Sequence, residues 1–418
     1  MEGYEWYYTK KHRLKRRLVQ EVLPRRKLLR VRGHYHSSND GSCKKTLAVA
    51  IHRRTPETTA SMNTEAKDFL HRLLDTPSPT GFEIEGQKVW SNYVKKFADA
   101  VENDAYGNTW ATLKGRSDFS IMLEAHSDEI GFMVQNMSDD GFLYLNRIGA
   151  SDPTIARGKR LRILGDKGPV LGVIGNTAIH LREKDGEKAP EVHELFVDIG
   201  ATSRADVEKR GVRIGHPVVY TDTAEEVVPG KIVGRAIDNR VGGFILSQVL
   251  ANLFVLDQRP SGTLLAVNAV QEEIGGPGAK MISYRLEPNV AIVIDVTHAT
   301  DSPGIDRNKH GAVKLGSGPS LTHGTANHPL IVQRLTELAK KLDVPVQHEA
   351  SSKSTGTDTD HVYWSKQGVP SALISIPMRY MHSTVEMVDL ADVEKTILLL
   401  TNFVQTVASG NEFAAKVL

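Results

Sequence analysis

The chain has 418 residues, 40% hydrophobic and 24% charged, with a net charge of +2; that length suggests two or three domains and a core large enough to stand without disulfides. The charge is uneven: residues 1–61 carry fifteen Lys/Arg against five Asp/Glu, which leaves −8 on residues 62–418, a body without the basic excess of a nucleic-acid binder. The one cysteine, Cys43, lies in the basic segment, so any metal site in the body must use His, Asp and Glu, and a reducing, cytoplasmic location is expected.

No stretch reaches the roughly 18 apolar residues of a membrane span. The start carries Lys10, Lys11, Arg13, Lys15, Arg16 and Arg17, which leaves no uninterrupted apolar region for a secretory signal. Three readings of residues 1–61 stay open. They are a start assigned too early, with true initiation at Met62; a disordered basic arm; or an Arg-rich organellar presequence, against which Glu2, Glu5 and Glu21 weigh. The helical patterning that begins at Asn63 favours the first.

Ala66, Phe69, Leu70, Leu73 and Leu74 recur at helical spacing, and Thr76-Pro77-Ser78-Pro79-Thr80-Gly81 stops that helix. Val89, Trp90, Val94 and Phe97 mark a second. Phe119 to Ala125 reads as an apolar strand, Glu124 excepted, running into His126-Ser127-Asp128-Glu129. From about 131 to 222 the pattern changes to short alternating runs between Gly-, Asp- and Lys-rich turns, a small β-rich insertion. An amphipathic helix near Val241–Leu253 follows. The strand Leu264–Val270 then runs into Gln271-Glu272-Glu273, and Val290–Ile294 runs into Asp295. After a helix at Leu330–Leu342, Ala372–Ile376 is followed, past Pro377, by His382. A last helix covers about Val393–Val404. Apolar strands alternating with helices predict an α/β domain with a largely parallel sheet, built from 62–130 and 223–418 and interrupted by 131–222.

In open α/β sheets, sites form outside the carboxyl ends of the strands. His126, Asp128, Glu272, Glu273, Asp295 and His382 follow such ends, and Asp238 precedes a helix in Gly234-Arg235-Ala236-Ile237-Asp238-Asn239-Arg240. Imidazole and carboxylate bind zinc at about 2.0–2.2 Å. Two ions roughly 3.5–4 Å apart need a bridging carboxylate and can share a water. Two His and three acids meet that need and leave one acid over. Glu272 and Glu273 are neighbours, and in an extended segment neighbours face opposite ways, so one could bind metal while the other moves protons. Taken singly, each feature has a plain reading: a hydrogen-bonded His, a strand meeting a turn, a solvated Glu pair. Spacing alone leaves those readings and a dinuclear hydrolase equally open.

As strings the segments are more specific. Ala125-His126-Ser127-Asp128-Glu129-Ile130-Gly131-Phe132-Met133-Val134 resembles the first metal motif of the family-42 metallopeptidases, the glutamyl and tetrahedral aminopeptidase group. The segment around Asp238 is similar to their bridging-Asp motif, and Val270-Gln271-Glu272-Glu273-Ile274-Gly275 to their Glu-Glu motif. Ile294-Asp295-Val296-Thr297-His298 and Met381-His382-Ser383-Thr384-Val385-Glu386 resemble the last two ligand motifs. The resemblance runs in order through residues 62–418.

The resemblance implies a fold like other zinc exopeptidases, with a mixed, largely parallel sheet flanked by helices and residues 131–222 as a dimerisation domain. It implies that Asp238 bridges two ions, that His126 and Asp295 complete one ligand set, and that Glu273 and His382 complete the other. Glu272 would be the general acid/base, and Asp128 would fix the His126 imidazole. The Asp238–Asn239 peptide would be cis. The cofactors would be two divalent ions, zinc first, with cobalt and manganese tolerated by the same donors. The activity would be release of N-terminal residues from short peptides, by a homo-oligomer built from dimers and extending to a dodecamer. No nucleic-acid or membrane partner is implied. The chain departs from the family at Pro277, where an Arg is common and a pocket wall would change, and at Asp360-His361 within the Gly356-Thr357-Asp358 loop. His361 is expected as a pocket or surface residue, and His298 as a residue that fixes its loop. The rival functions are a related dinuclear deacylase or glucanase, and a non-catalytic assembly protein on the same fold.

Overall fold

Burial sorts the apolar segments into central strands and covering helices. The computed structural model describes residues 62–182, 188–256 and 259–417, so the readings of residues 1–61 lie outside it, and residues 65–418 form one compact unit. Helix α1 (Thr64–Asp75) buries the predicted stripe of Ala66, Phe69, Leu70, Leu73 and Leu74. Phe69 stacks on Tyr93 of α2 (Ile84–Val94), with ring centroids 3.8 Å apart.

The sheet begins with β1 (Ala100–Asn103), β2 (Thr109–Leu113) and β3 (Ser120–His126), and the chain then leaves it for a barrel. Six strands close that barrel: β4 (Gly131–Met137), β5 (Leu143–Ile148), β6 (Arg160–Gly165), β7 (Gly168–Ile174), β8 (Phe196–Asp198) and β9 (Pro217–Tyr220). Its interior is a separate apolar cluster around Phe132, Leu161, Ile163, Val197 and Val218. Inward and outward positions alternate along a barrel strand, which is why these stretches read as alternating.

The chain re-enters the sheet with β10 (Glu225–Val228) and β11 (Lys231–Gly234), then α3 (Ile237–Val255), β12 (Thr263–Ala269), α4 (Pro277–Leu286) and β13 (Val290–His298). It ends with β14 (Ser320–His323), α5 (Pro329–Leu342), β15 (Gln347–Ala350), β16 (Ser371–Arg379), β17 (Glu386–Asp389) and α6 (Leu390–Thr406). The order is β1-β2-β12-β3-β13-β16-β17-β11-β10, with β14 beside β16 and β15 beside β14. The four central strands β12, β3, β13 and β16 are parallel, so the carboxyl ends of all four open on one edge. The outer pairs at β1–β2, β16–β17 and β10–β11 are antiparallel. No described helix is long and apolar enough to cross a membrane.

Two expectations change. Helix α3 is buried around its circumference as far as Ser247, with Asn252 exposed near its end, rather than amphipathic, because it packs against β3, β12 and β13 on one side and α2 and α6 on the other; a helix apolar all round belongs in a core. Strands β13 and β16 run past the ends assigned from apolarity. Asp295 lies inside β13 and Pro377 inside β16, since ladder pairing continues through both polar and proline positions.

A buried ion network ties the segment after β3 to the start of α3. Glu129 Oε1 accepts from Arg240 Nη2 at 3.0 Å and from the Ser78 N–H at 2.8 Å, while Oε2 pairs with Arg235. Arg240 also donates to the Leu73 and Thr76 carbonyls at 2.6 and 2.7 Å and to Ser127 O at 2.8 Å. Removing one member leaves charge stranded in the core. Glu129→Gln is expected to cost about 3–5 kcal/mol, read as a lowered midpoint in denaturant unfolding with an unchanged slope.

Candidate metal centre

Each candidate side chain is delivered by a strand end or by the loop that follows one. His126 is the last residue of β3, and the Ser127 N–H still pairs with Ala269 O of β12 at 2.8 Å. Asp128 lies fully buried behind it. Its Oδ1 stands 3.4 Å from His126 Nδ1 and accepts the Glu272 N–H at 3.0 Å. Its Oδ2 accepts the Glu273 N–H at 3.2 Å and the Thr80 hydroxyl at 2.8 Å. One carboxylate thus holds both the imidazole and the Glu-Glu turn.

Glu272–Ile274 is a short 3₁₀ turn and not an extended segment. The turn still aims the two carboxyls apart: Glu272 Oε2 lies 3.9 Å from His126 Nε2, and Glu273 Oε2 lies 3.4 Å from His382 Nε2. Gly276 follows at φ +65°, where a Cβ would meet His361 Cδ2 at 2.2 Å and Asp358 Oδ1 at 2.7 Å. Glycine there lets the 357–361 loop close against the turn.

Asp238 sits where the chain turns from β11 into α3. Its peptide to Asn239 is cis. Asn239 donates to Ile294 O of β13 at 2.7 Å and accepts the Gly242 N–H at 3.0 Å. Ala236, Gln271 and His382 are non-glycine residues in the left-handed region, a backbone cost of about 1–3 kcal/mol each that persists only where the surroundings fix the conformation. Here it re-aims the three loops that carry Asp238, the Glu-Glu pair and His382.

The side chains converge on one crevice of about 540 Å³, walled by His126, Asp238, Glu272, Glu273, Asp295 and His382. Asp238 Oδ1 lies 3.2 Å from His126 Nε2, which is 3.6 Å from Asp295 Oδ1. Asp238 Oδ2 lies 3.4 Å from His382 Nε2. These separations suit a metal better than hydrogen bonds. Two donors held about 2.1 Å from a tetrahedral ion stand roughly 3.4 Å apart. His126, Asp238 and Glu273 each present a ligand atom within 4.8 Å of the others. Buried Asp238 Oδ1 and Glu273 Oε1 have no hydrogen-bond partner, a costly state for polar atoms shielded from solvent.

Electrostatics point the same way. Burial pushes Glu272 up to about 10, reinforced by Asp295, Asp358 and Glu273 against the relief from His126. Burial and the Asp238 charge bring Glu273 to about 7, despite His382. Burial opposes charge on His382, but Asp238 and Glu273 outweigh it and raise the imidazole to about 11. Burial works likewise against His126, yet contacts with Asp128, Asp238 and Asp295 carry it well above its ordinary value. Asp238 is held low by the two imidazoles against its burial.

Glu386 went unnoticed as a site residue in the sequence. Fully buried at the start of β17, it accepts the His382 N–H at 3.0 Å and the Asp238 N–H at 3.1 Å. Its position four residues after His382 was the available clue. Glu124, the polar exception in β3, is fully buried and pushed by burial to about 8. His361 lines the crevice, as expected of a pocket residue. His298 also lies on the crevice wall, exposed and not buried in a loop-fixing contact. Pro277 opens α4 and is not among the residues lining the crevice.

Imidazoles and carboxylates gathered at the carboxyl ends of parallel strands, around a shared Asp, define a metal-dependent hydrolase. A family model described as M42 glutamyl aminopeptidase matches residues 107–399. A lysyl aminopeptidase of Pyrococcus furiosus is 32% identical over 337 residues, 79% of this chain and 94% of that protein. The solved aminopeptidase APDkam598 from the archaeon Desulfurococcus kamchatkensis aligns with a TM-score of 0.79 at 32% identity, over 85% of this chain and 99% of its own. The TET1 peptidase of Pyrococcus horikoshii, which can assemble into a tetrahedron or a large octahedral shell, aligns with a TM-score of 0.72 at 25% identity, over 82% and 100%. The chain belongs to the M42 glutamyl aminopeptidase family and is a metal-dependent aminopeptidase.

A pH dependence follows. Groups with raised pKa keep their protons at neutral pH in the metal-free fold, whereas a metal ligand must be deprotonated. A metal held by His382 and Glu273 would therefore displace their protons, and its affinity is expected to climb as pH rises through 6 to 8. Calorimetric titration of the metal-free protein with zinc, in buffers of different ionisation enthalpy, is expected to show release of at least one proton per chain.

Proposed function

We propose that the chain holds two divalent ions, zinc first, and uses Glu272 as the general acid/base that releases the N-terminal residue of short peptides. The observation that carries this reading is Asp238, whose Oδ1 faces His126 Nε2 at 3.2 Å and whose Oδ2 faces His382 Nε2 at 3.4 Å. One carboxylate with an imidazole at each oxygen suits a bridge. His126 and Asp295 complete the first ligand set, and Glu273 and His382 the second.

When bound, the ions polarise a carbonyl and acidify a water. Glu272, beside the first set, takes the proton of the attacking water and returns it to the departing amine. Its pKa, raised to about 10 in the metal-free fold, falls when cations enter, toward the range useful for passing a proton both ways. Asp128 keeps His126 Nδ1 engaged, so Nε2 points to the ligand set. Glu386 holds the backbones of Asp238 and His382 in register, so the two sets keep their spacing.

Residues 62–130 and 223–418 serve as the catalytic domain and 131–222 as an assembly domain. The self-contained barrel core supports that division, and the shell-forming TET1 peptidase supports a dimer-built homo-oligomer. A dodecameric shell would admit only short or unfolded peptides. The lone Cys43 supports a reducing, cytoplasmic location.

Glu272→Gln is expected to lower kcat by about 10²–10⁴ on aminoacyl-anilides while the metal content of the dialysed protein stays unchanged. Acyl-amino acids and β-glucans are expected to remain uncleaved. Equal loss of metal and rate would place Glu272 among the ligands, and cleavage of an acyl-amino acid would favour the deacylase. Glu386→Ala, which frees two ligand-bearing backbones, is expected to weaken metal retention about 10–100-fold, read as metal per chain after dialysis.

A further inference from the structure

Beside the crevice lies a second cavity of about 350 Å³, and the two share walls at Val296, Thr297, Thr355 and Thr357. Alternate residues of a strand face the same side, so Thr297 stands on the Asp295 side of β13. At 3.3 Å per residue it lies about 7 Å further along. The Thr297 hydroxyl donates to Glu349 Oε1 of β15 at 2.8 Å. Glu349 Oε2 is shielded from solvent and has no hydrogen-bond partner. Hydroxyls of Thr322, Ser354 and Ser375 add to a mainly polar wall. The other charged residue on that wall is Lys353, exposed in the loop after β15.

We propose that this side cavity receives the side chain of the substrate's N-terminal residue, and that Glu349 makes the enzyme select a cationic one, lysine or arginine. This deepens the aminopeptidase reading and rests on it. A peptide with its first carbonyl at the ligand sets must place its first side chain in an adjoining recess. An extended lysine side chain reaches roughly 6 Å from Cα to Nζ, which matches the step along β13 from Asp295 to Thr297 and Glu349. An ammonium or guanidinium brings a positive charge and several donors to a wall whose one carboxylate, Glu349, has a partner within the fold at Oε1 alone, and burial of an unpaired acceptor is unfavourable. A leucine side chain would strip water from hydroxyls and return nothing. A glutamate side chain would meet Glu349 at short range in a walled recess, while Lys353 at the exposed rim acts through water and is screened.

The test uses the metal-loaded full chain with lysyl-, arginyl-, leucyl- and glutamyl-anilides. The expected result is kcat/KM for lysyl and arginyl substrates at least tenfold above the other two. Glu349→Gln keeps an acceptor for Thr297, and is expected to cut the lysyl value at least tenfold while changing the leucyl value less than threefold. Lys353→Ala is expected to preserve the order. A wild-type preference for leucyl or glutamyl substrates overturns the proposal, as does an equal fall on all substrates in Glu349→Gln. Binding of free L-lysine against L-norleucine, which lacks only the amine, is measured in parallel by calorimetry. If no anilide is cleaved yet lysine binds at least tenfold tighter than norleucine, the cavity assignment stands and the peptidase reading fails. If the two bind alike, the assignment falls whatever the activity.

Discussion

The structure is organised around a concentration of negative charge that the fold cannot neutralise with its own cations. Asp238, Glu272, Glu273 and Asp295 share one crevice with two imidazoles. Lys and Arg near it are engaged elsewhere: Arg235 and Arg240 pair with Glu129, and Lys159 Nζ reaches Asp222 and the Thr384 hydroxyl. Like charges at these separations drive protonation in the absence of an external cation. The raised carboxyls of Glu272 and Glu273 and the raised imidazoles are the same fact seen from two sides. A metal-dependent enzyme is the solution in which ions replace those protons.

The rest of the catalytic region keeps that repulsive arrangement together. Asp128 ties the Glu-Glu turn to His126. Glu386 ties the Asp238 turn to His382. Asn239 ties the same turn to β13. Glu129 with its two arginines locks the loop after β3 to the start of α3. Each clamp joins segments far apart in the chain by a polar group buried with a partner. Such contacts hold loops in left-handed conformations that they would not otherwise keep.

Much of this was legible in the sequence, for identifiable reasons. Strands β3, β12 and β13 are buried on both faces, so they read as continuous apolar runs, and metal-capable residues near their ends stand out against them. The barrel was legible because its strands bury one face and alternate. Where reading failed, a neighbour overrode local pattern. Helix α3 is enclosed along most of its length and reaches solvent only near its end at Asn252, so its moderate polarity suggested a continuous solvent face that it lacks. The Glu-Glu segment turns sharply because Asp128 takes both of its N–H groups, which no property of residues 271–275 announces. Glu386 was read only as the end of the His382 motif, because its importance lies in two backbone donors, the N–H groups of Asp238 and His382.

By itself the sequence determined the fold class and the family and put forward the candidate donors, because periodicity, residue type and ordered strings are local properties of the chain. Tertiary structure alone decided how those candidates are placed: which oxygen of Asp238 faces which imidazole, and which acid of the Glu-Glu pair lies beside each. It also decided that a cavity carrying Glu349 opens beside them. Distances between residues separated by up to hundreds of positions depend on strand order and loop geometry, and a one-dimensional pattern does not contain them.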